Sequence, residues 1–408
     1  MKRTLFAIGL FFVSLAFAGE PSVVIDRVQQ RYPWNNIVDI DYTVAGIDDD
    51  PNDYQLQVVV SATVGGEKVE ITASNFVGAA CCDLSCANGQ SRASWNSGLD
   101  GVDFISDNVT IKLNLLRAPV SETDADYLIV DLSGGKDAAT YPVRYVKVSD
   151  GFNLAQFCQP IYKTKKMVMR HIPGGEFTMG NNTTTGGSFN HTVLLTKDYY
   201  IGIFPVTQAQ YQNVCGTNPS TKKTDAIDDL AAHRPVETIR WSEIEQENGF
   251  TKSIVAKARV RGASVVGFGL PTEAQWEKAY RAETTTKYYW NTDSYAEFEK
   301  YGWSNKDSSD RTHAVGLRCP NAYGLCDMAG NVWELTYDVY ASSYTADPKY
   351  VEGGVTVDPV GPSSGNTHVV RGASYANEPG QCSAGARMEP YSGNPYAYIG
   401  FRFGRTLP

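Results

Sequence analysis

The sequence predicts two domains: an N-terminal all-β sandwich with an immunoglobulin-like pattern of strands, and a C-terminal α+β domain with little regular secondary structure. The chain has 408 residues, which is more than one hydrophobic core usually organises. Short apolar runs separated by turn residues fill residues 19–148, whereas residues 167–408 combine helix-capping signals with long loops rich in Gly, Asn, Ser and Tyr. Residues 149–166 are predicted to be a linker.

The N-terminal domain is predicted from segments in which apolar residues alternate with polar ones or form short runs. Clusters of Asp, Asn, Gly and Pro separate these segments, which is typical of an antiparallel sandwich. The predicted strands are Val23–Ile25, Val38–Val44, Leu56–Val60, Val109–Leu113 and Tyr127–Leu132. No histidine occurs in this domain and its carboxylates lie in predicted turns, so we expect a structural or adhesive role.

Residues 1–18 have the pattern of a signal peptide. Lys2 and Arg3 precede the apolar run Leu5–Phe17, and Ala18 ends a cleavage pattern of small residues. We therefore predict export, with the mature protein secreted, periplasmic or held at the cell surface. The alternative is that the apolar run stays uncleaved and anchors the chain. No later stretch approaches about 20 uninterrupted apolar residues, so no transmembrane segment is predicted.

The charge of the chain argues against nucleic acid as a partner. The formal net charge is -9, and removing Lys2 and Arg3 with the signal peptide takes it to -11. The remaining Lys and Arg residues are scattered and form no basic stripe.

The eight cysteines favour disulfides over metal ligation, because the chain is expected to reach an oxidising compartment. Cys319 and Cys326 flank a segment that contains Pro320, Asn321 and Gly324. These residue types turn the chain back on itself, so the sequence predicts a local disulfide between the two cysteines.

Two helices of the C-terminal domain are predicted from capping boxes, in which the first and fourth residues bond reciprocally to backbone amides. Thr207–Gln210 opens one helix, and Gly216 ends it. Thr272–Gln275 opens a second helix directly after Pro271.

Seven phrases in one order then connect the second half of the chain to a known family. They are Ile172–Gly180, Pro205–Gln208, Arg234–Glu237, Leu270–Glu277, Asn321–Glu334, Arg371–Tyr375 and Ile399–Arg402. Together they resemble the formylglycine-generating enzymes, the sulfatase-modifying factor family. The resemblance implies a C-type-lectin-like fold, in which loops build a broad surface that can serve an enzyme or a binding protein. Within it, Trp276 and Trp333 are predicted to be core aromatics and Arg402 to form an internal ion pair.

The resemblance also implies where the family's chemistry would lie. Enzymes that convert a sulfatase cysteine to formylglycine use two cysteines five positions apart, after an Arg-Gly-Gly-Ser turn, to bind one Cu(I) ion. On this chain the second position is Cys382, the first is Asn377, and Ser374 matches the serine of the turn. An amide oxygen is a poor ligand for Cu(I), which prefers soft thiolates. The sequence therefore predicts that copper is not bound.

Two functions from different classes follow. The first is a non-catalytic module that recognises an extracellular or periplasmic glycan, peptide or protein, because rigid aromatics mixed with polar groups are typical of binding surfaces. Its predicted ligand-binding residues are Tyr375, Asn377, Arg387, Tyr391, Tyr396 and Tyr398. The alternative is a copper-dependent oxidase, or another modifying enzyme of the family, that uses Cys382 and Ser374.

A structural calcium site is the last feature that the resemblance implies. The predicted ligands are the carboxylates of Asp327 and Glu334 and the carbonyls of Gly330 and Val332, all hard oxygen donors of the kind that calcium prefers. The alternative is a tight turn in which Asp327 only caps backbone amides.

Overall fold

The fold is given by a computed structural model, in which the chain forms two compact units. The first contains residues 1–124 and 147–156, and the second contains residues 125–146 and 157–408. The structure describes residues 21–31, 36–47, 54–64, 67–73, 76–77, 84–100, 109–117, 120–150, 152–181, 188–221, 230–260, 262–389 and 394–408.

Where the structure describes the first unit, it forms two three-stranded antiparallel sheets, with the strand orders β1-β2-β5 and β4-β3-β6. The strands are β1 (Ser22–Gln30), β2 (Ile37–Ala45), β3 (Tyr54–Val64), β4 (Glu67–Thr72), β5 (Gly89–Asn96) and β6 (Thr110–Arg117). Alternate residues of β2 and β3, such as Ile40 and Val58, enter one apolar cluster around the buried Trp95. The all-β pattern therefore holds for this unit, while its immunoglobulin-like connectivity stays a prediction.

The boundary between the units differs from the prediction at residue 148. The strand predicted at Tyr127–Leu132 forms as β7 (Tyr127–Asp131), but it lies in the second unit. The reason is that β7 pairs on one side with β8 (Tyr141–Val146) and on the other with β9 (Lys166–Ile172). Backbone hydrogen bonds on both edges thus commit the segment to the second unit, which strand propensity alone does not reveal.

The predicted linker is also folded. Two short helices occupy it, α1 (Leu154–Phe157) and α2 (Pro160–Thr164), and β9 begins at its end. Phe157 is fully buried and packs edge-on against the rings of Tyr127 and Tyr162. These aromatic contacts pack Phe157 and α2 against β7 of the second unit, so the segment does not act as a free spacer.

In its described residues the second unit has three sheets, with the orders β14-β13-β8-β7-β9-β12-β21-β15, β19-β18-β16-β20 and β10-β11-β17. Its further strands are β10 (Gly175–Met179), β11 (His191–Leu195), β12 (Tyr199–Gly202), β13 (Ala258–Val260), β14 (Ala263–Ser264), β15 (Phe268–Gly269), β16 (Trp333–Val339), β17 (Val355–Val357), β18 (His368–Arg371), β19 (Arg387–Met388), β20 (Ile399–Phe401) and β21 (Gly404–Thr406). Its further helices are α3 (Gln208–Cys215), α4 (Trp241–Glu245), α5 (Phe250–Lys257) and α6 (Glu273–Arg281).

Both predicted capping boxes are confirmed. Thr207 and Gln210 cap α3, which ends at Gly216 with a φ of 76°, and Thr272 and Gln275 cap α6 in the same way. Because α6 begins where the box fixes it, the helix carries Trp276 into the core with no exposed surface. In the part of the chain that the structure describes, no helix is both long and apolar enough to cross a membrane.

Candidate functional site

The turn after β18 builds the surface where the family's chemistry would lie. Gly372 has a φ of 90°, and a Cβ there would approach Trp276 and the Met328 carbonyl to 3.0 Å. Only glycine therefore lets the turn pack this closely on α6. The turn brings Ser374, which is fully buried, next to Asn377.

The side chain of Asn377 is held by four hydrogen bonds. Its Oδ1 accepts from the backbone N–H of Ser374 at 3.0 Å, from Ser374 Oγ at 2.8 Å and from Trp333 Nε1 at 2.9 Å. Its Nδ2 donates to Gln381 Oε1 at 3.2 Å. The amide oxygen thus satisfies three donors that are otherwise left without an acceptor. Asn377 is a structural centre of this turn as well as part of its surface.

Two residues that the sequence pattern does not predict, Asn305 and Lys306, extend the surface. The Asn377 carbonyl accepts from the Asn305 N–H at 3.0 Å, and Asn305 Nδ2 donates to Glu378 at 2.8 Å. Lys306 forms an exposed ion pair with Glu378 at 3.0 Å. No local pattern signals these contacts, because about 70 residues separate the two segments along the chain.

Cys382 lies under this surface and is fully buried. Its Sγ contacts the Glu378 carbonyl at 3.6 Å, and its own carbonyl accepts from Tyr280 Oη at 2.9 Å. Burial raises the pKa of the Cys382 thiol well above its usual range, so the group stays protonated at neutral pH. With one thiol, and an amide oxygen that already accepts three hydrogen bonds in place of the second, the residues do not fit the two-thiolate Cu(I) site that the family implies.

The predicted binding tyrosines fall into two environments. Tyr375 is 4% exposed, and burial raises its pKa to about 12, with the carboxylates of Asp310 and Glu237 adding to the shift. Tyr396 and Tyr398 are half-buried and stack with ring centroids 5.1 Å apart. The partly exposed pair can meet a ligand, whereas Tyr375 supports the surface from below. Tyr391 lies outside the described residues.

Arg387 has a different setting from the other predicted binding residues. Its side chain is 7% exposed and forms a two-point ion pair with Glu273, with distances of 2.7 and 2.8 Å. It also donates to the Ala341 carbonyl at 2.7 Å. With these partners, Arg387 mainly stabilises the interior of the fold.

The predicted calcium ligands have other partners in the structure. Both oxygens of Glu334 accept from the guanidinium of Arg402, at 2.9 and 3.0 Å, and Trp276 Nε1 donates to the same carboxylate at 2.6 Å. Asp327 accepts from the N–H of Gly316 at 2.6 Å, and burial raises its pKa. Across the ranges that the structure describes, no group of three or more His, Cys, Asp or Glu side chains could hold a metal.

As arranged, these two carboxylates do not fit one shared calcium ion, because a guanidinium already neutralises Glu334. Calcium stays a prediction that chelation can test. The internal ion pair predicted for Arg402 is confirmed by its contact with Glu334, and both side chains are almost completely buried. Trp333, at 5% exposure, is also a core aromatic as predicted.

The predicted disulfide between Cys319 and Cys326 is not formed, and both residues are free thiols. The turn does close, but its closing bond runs from the Asn321 N–H to the Leu325 carbonyl. Cys326 then points into the core while Cys319 is exposed. The prediction of the turn holds, and the prediction of the pairing is wrong, because the two thiols leave the turn in different environments.

The fold and the site define a sulfatase-modifying-factor domain. The family model for the sulfatase-modifying factor enzyme 1-like domain matches residues 153–407. This match spans more than half of the chain, and the protein therefore belongs to that family.

Three relatives show the range of this similarity. The formylglycine-generating enzyme of Mus musculus is 22% identical over 317 residues, which cover 66% of this chain and 82% of the mouse protein. The formylglycine-generating enzyme of Streptomyces coelicolor is 31% identical, but the match covers 33% of this chain and 46% of that enzyme. The structure of Treponema denticola variable protein 1 is 30% identical with a TM-score of 0.51, covering 59% of this chain and 96% of that one.

Replacing Asn377 by alanine is expected to lower the free energy of unfolding by about 1–3 kcal/mol, the cost of leaving buried donors without an acceptor. The donors are the Ser374 N–H and Trp333 Nε1. Urea denaturation measures the change. Asn394→Ala is the matched control, since Asn394 is exposed and its loss should change stability by less than about 0.5 kcal/mol. Equal effects of the two substitutions would show that Asn377 is not the centre of the turn.

Proposed function

We propose that the second unit is a non-catalytic ligand-recognition module of an exported protein. Its ligand is an extracellular or periplasmic glycan, peptide or protein. The observation that carries the proposal is the state of Asn377, which replaces a copper-binding thiolate with an amide already engaged by three donors. The single thiol of Cys382 supports it, because a lone thiol does not supply the two soft ligands that the oxidase needs.

The proposed contact surface is built around the Tyr396–Tyr398 stack and the polar rim of Asn305, Lys306 and Glu378. Tyrosine offers a rigid, amphipathic contact at low conformational cost, and the amide, ammonium and carboxylate groups provide hydrogen bonds. Export is proposed from the N-terminal signal pattern alone.

The oxidase is the second candidate, because formylglycine-generating enzymes are among the relatives. For this chain to act as one, copper would have to be held by Cys382 with a ligand other than the residue at position 377. The comparison with the Streptomyces enzyme covers less than half of its length, so its activity carries over only as a proposal.

The binding proposal is tested by screening the mature chain on glycan and peptide arrays. We expect a restricted set of ligands, and we expect Tyr396→Ala to weaken binding by about tenfold or more, as aromatic anchors at interfaces do. Tyr323→Ala is the control, because this partly exposed tyrosine lies in the separate turn before Cys326. An array without any bound ligand, or full binding by Tyr396→Ala, would contradict the proposal.

A further inference from the structure

A cleft separate from the Asn377 surface lies at the N-terminal end of α6. Strands β10 and β11 border it on one side, and the segment from Val339 to Pro362 borders it on the other. Its apolar wall includes Met179, Ala274 and Val339, and its polar groups include His191, Glu273, Asp338, Tyr344, Asp347 and Arg387. The combination of an apolar wall with a few convergent polar groups is typical of small-molecule sites.

Tyr344 supplies the observation that points to a ligand. The residue is 8% exposed, and its Oη is buried without any hydrogen-bond partner. The guanidinium of Arg387 lies 4.6 Å from the centre of the ring, and the ring of His191 lies 4.6 Å away, so the phenol is fixed in place. Buried hydroxyl groups are nearly always hydrogen-bonded, so the unpartnered Tyr344 hydroxyl is available to form a hydrogen bond with a ligand.

Asp338 is the second polar group of the cleft. It is 3% exposed, and its Oδ2 accepts from the Glu273 N–H at 2.7 Å, at the first residue of α6. Burial raises the pKa of Asp338 to about 8, with the charges of Glu273 and Asp347 adding to the shift and Arg387 opposing it. A carboxylate has more lone pairs than this one bond uses, so it can accept further hydrogen bonds.

His191 adds a third acceptor. Burial lowers its pKa, so the imidazole is neutral, and its Nδ1 lies 3.3 Å from the Phe189 carbonyl. A neutral ring that donates from Nδ1 has an acceptor at Nε2.

The charged side chains around the cleft have a net charge that one bound cation would neutralise. Glu273 is shared between Arg387 and Arg371, and Glu277 is shared between Arg371 and Arg281. Asp347 accepts from the backbone N–H groups of Lys349, Val360 and Gly361. Four carboxylates therefore face three guanidiniums, which leaves one negative charge when Asp338 is ionised. The four acids are Glu273, Glu277, Asp338 and Asp347, and the three bases are Arg281, Arg371 and Arg387.

We propose that this cleft binds a protonated primary amine on an aliphatic chain, with the ammonium group at Asp338, Tyr344 Oη and His191 Nε2. An ammonium has three N–H donors and no acceptor, which matches three acceptors in a site with one excess negative charge. The methylene groups would lie along Met179, Ala274 and Val339. Such an amine can come from a lysine side chain of a peptide or from a free alkylamine.

The site has a defined pH dependence. Asp338 binds the cation as a carboxylate, so below about pH 8 a proton competes with the ammonium and the affinity falls about tenfold per pH unit. Above pH 8 the affinity is constant until the amine itself loses its proton, near about pH 10.4 for a lysine side chain.

The experiment titrates the full mature chain with n-butylammonium and with Nα-acetyl-lysine amide at pH 6.5 and pH 8.5, followed by NMR. The uncharged control is n-butanol. We expect saturable binding of at least one amine, tighter at pH 8.5, with no saturation by butanol. Tighter binding of the lysine amide would identify a peptide as the source, and tighter binding of butylammonium would identify a free amine.

Three variants test which side chains of the cleft bind the ammonium group. Asp338→Asn keeps an acceptor for the Glu273 N–H, and we expect it to weaken binding about tenfold or more and to remove the pH dependence. Tyr344→Phe should weaken binding without changing the pH dependence, whereas Tyr337→Phe, at a 50% exposed position, should change neither. Absence of saturable amine binding by a folded wild-type chain, or unchanged binding by both cleft variants, would overturn the proposal.

Discussion

Replacing Glu334 by alanine is expected to lower the free energy of unfolding by about 3–5 kcal/mol, which is the effect of breaking a buried ion pair from one side. Glu334 and Arg402 are 1% and 0% exposed, and the substitution leaves the guanidinium without its countercharge. It also removes the acceptor of Trp276 Nε1. Urea denaturation followed by tryptophan fluorescence measures the loss.

The matched control is Glu297→Ala. Glu297 pairs with Lys300 at 2.7 Å, but both side chains are more than half exposed, so we expect a loss of well under 1 kcal/mol. A chelator distinguishes the two possible roles of Glu334, as the partner of Arg402 and as a calcium ligand. If a chelator lowers the melting temperature of the wild type and has no effect on Glu334→Ala, the carboxylate serves a calcium ion and the ion-pair account is contradicted.

Replacing Gly330 by alanine is expected to destabilise the protein by about 3 kcal/mol or more, through backbone strain combined with a steric overlap. Gly330 has a φ of 82°, and a Cβ there would overlap the carbonyl oxygen of Trp303. That carbonyl also accepts from the Asn331 N–H, so it cannot move away without losing a bond. Thermal and urea unfolding both report the effect.

Gly353→Ala is the control for this substitution. Gly353 has a φ of 68°, and a Cβ there would meet nothing within 4 Å. It therefore isolates the cost of a left-handed alanine, which is about 1–2 kcal/mol. Similar losses at the two positions would show that the close approach of Gly330 to Trp303 contributes nothing.

Local sequence signals predicted the parts of the fold that depend on neighbouring residues. Thr207 and Thr272 could be identified as helix caps because each acts on an amide three residues away. The family resemblance placed Trp276 in the core and Arg402 in an ion pair. It did not identify Glu334 as the partner of Arg402, because the same carboxylate had been assigned to calcium.

The contacts that decide the site join distant segments, and no local pattern encodes them. Asn377 was predicted from its position in the cysteine pattern, but its bond with Trp333 crosses 44 residues. The strand β7 belongs to the second unit, and not to the N-terminal domain as predicted, because it pairs with β8 and β9. Cys319 and Cys326 flank a turn as predicted, but only Cys326 is buried in the core, and the two do not pair. Tertiary packing overrides local pattern at each of these places.

The most direct test of the central claim is an assay for formylglycine. The purified chain is supplied with copper, oxygen and a peptide carrying a Cys-x-Pro-x-Arg sequence, and the aldehyde is sought by mass spectrometry, with the Streptomyces coelicolor formylglycine-generating enzyme as the positive control. We predict no aldehyde, because Asn377 and the buried Cys382 thiol do not supply two thiolates. Turnover by the wild type that is lost in Cys382→Ser would contradict the recognition-module account and establish the oxidase.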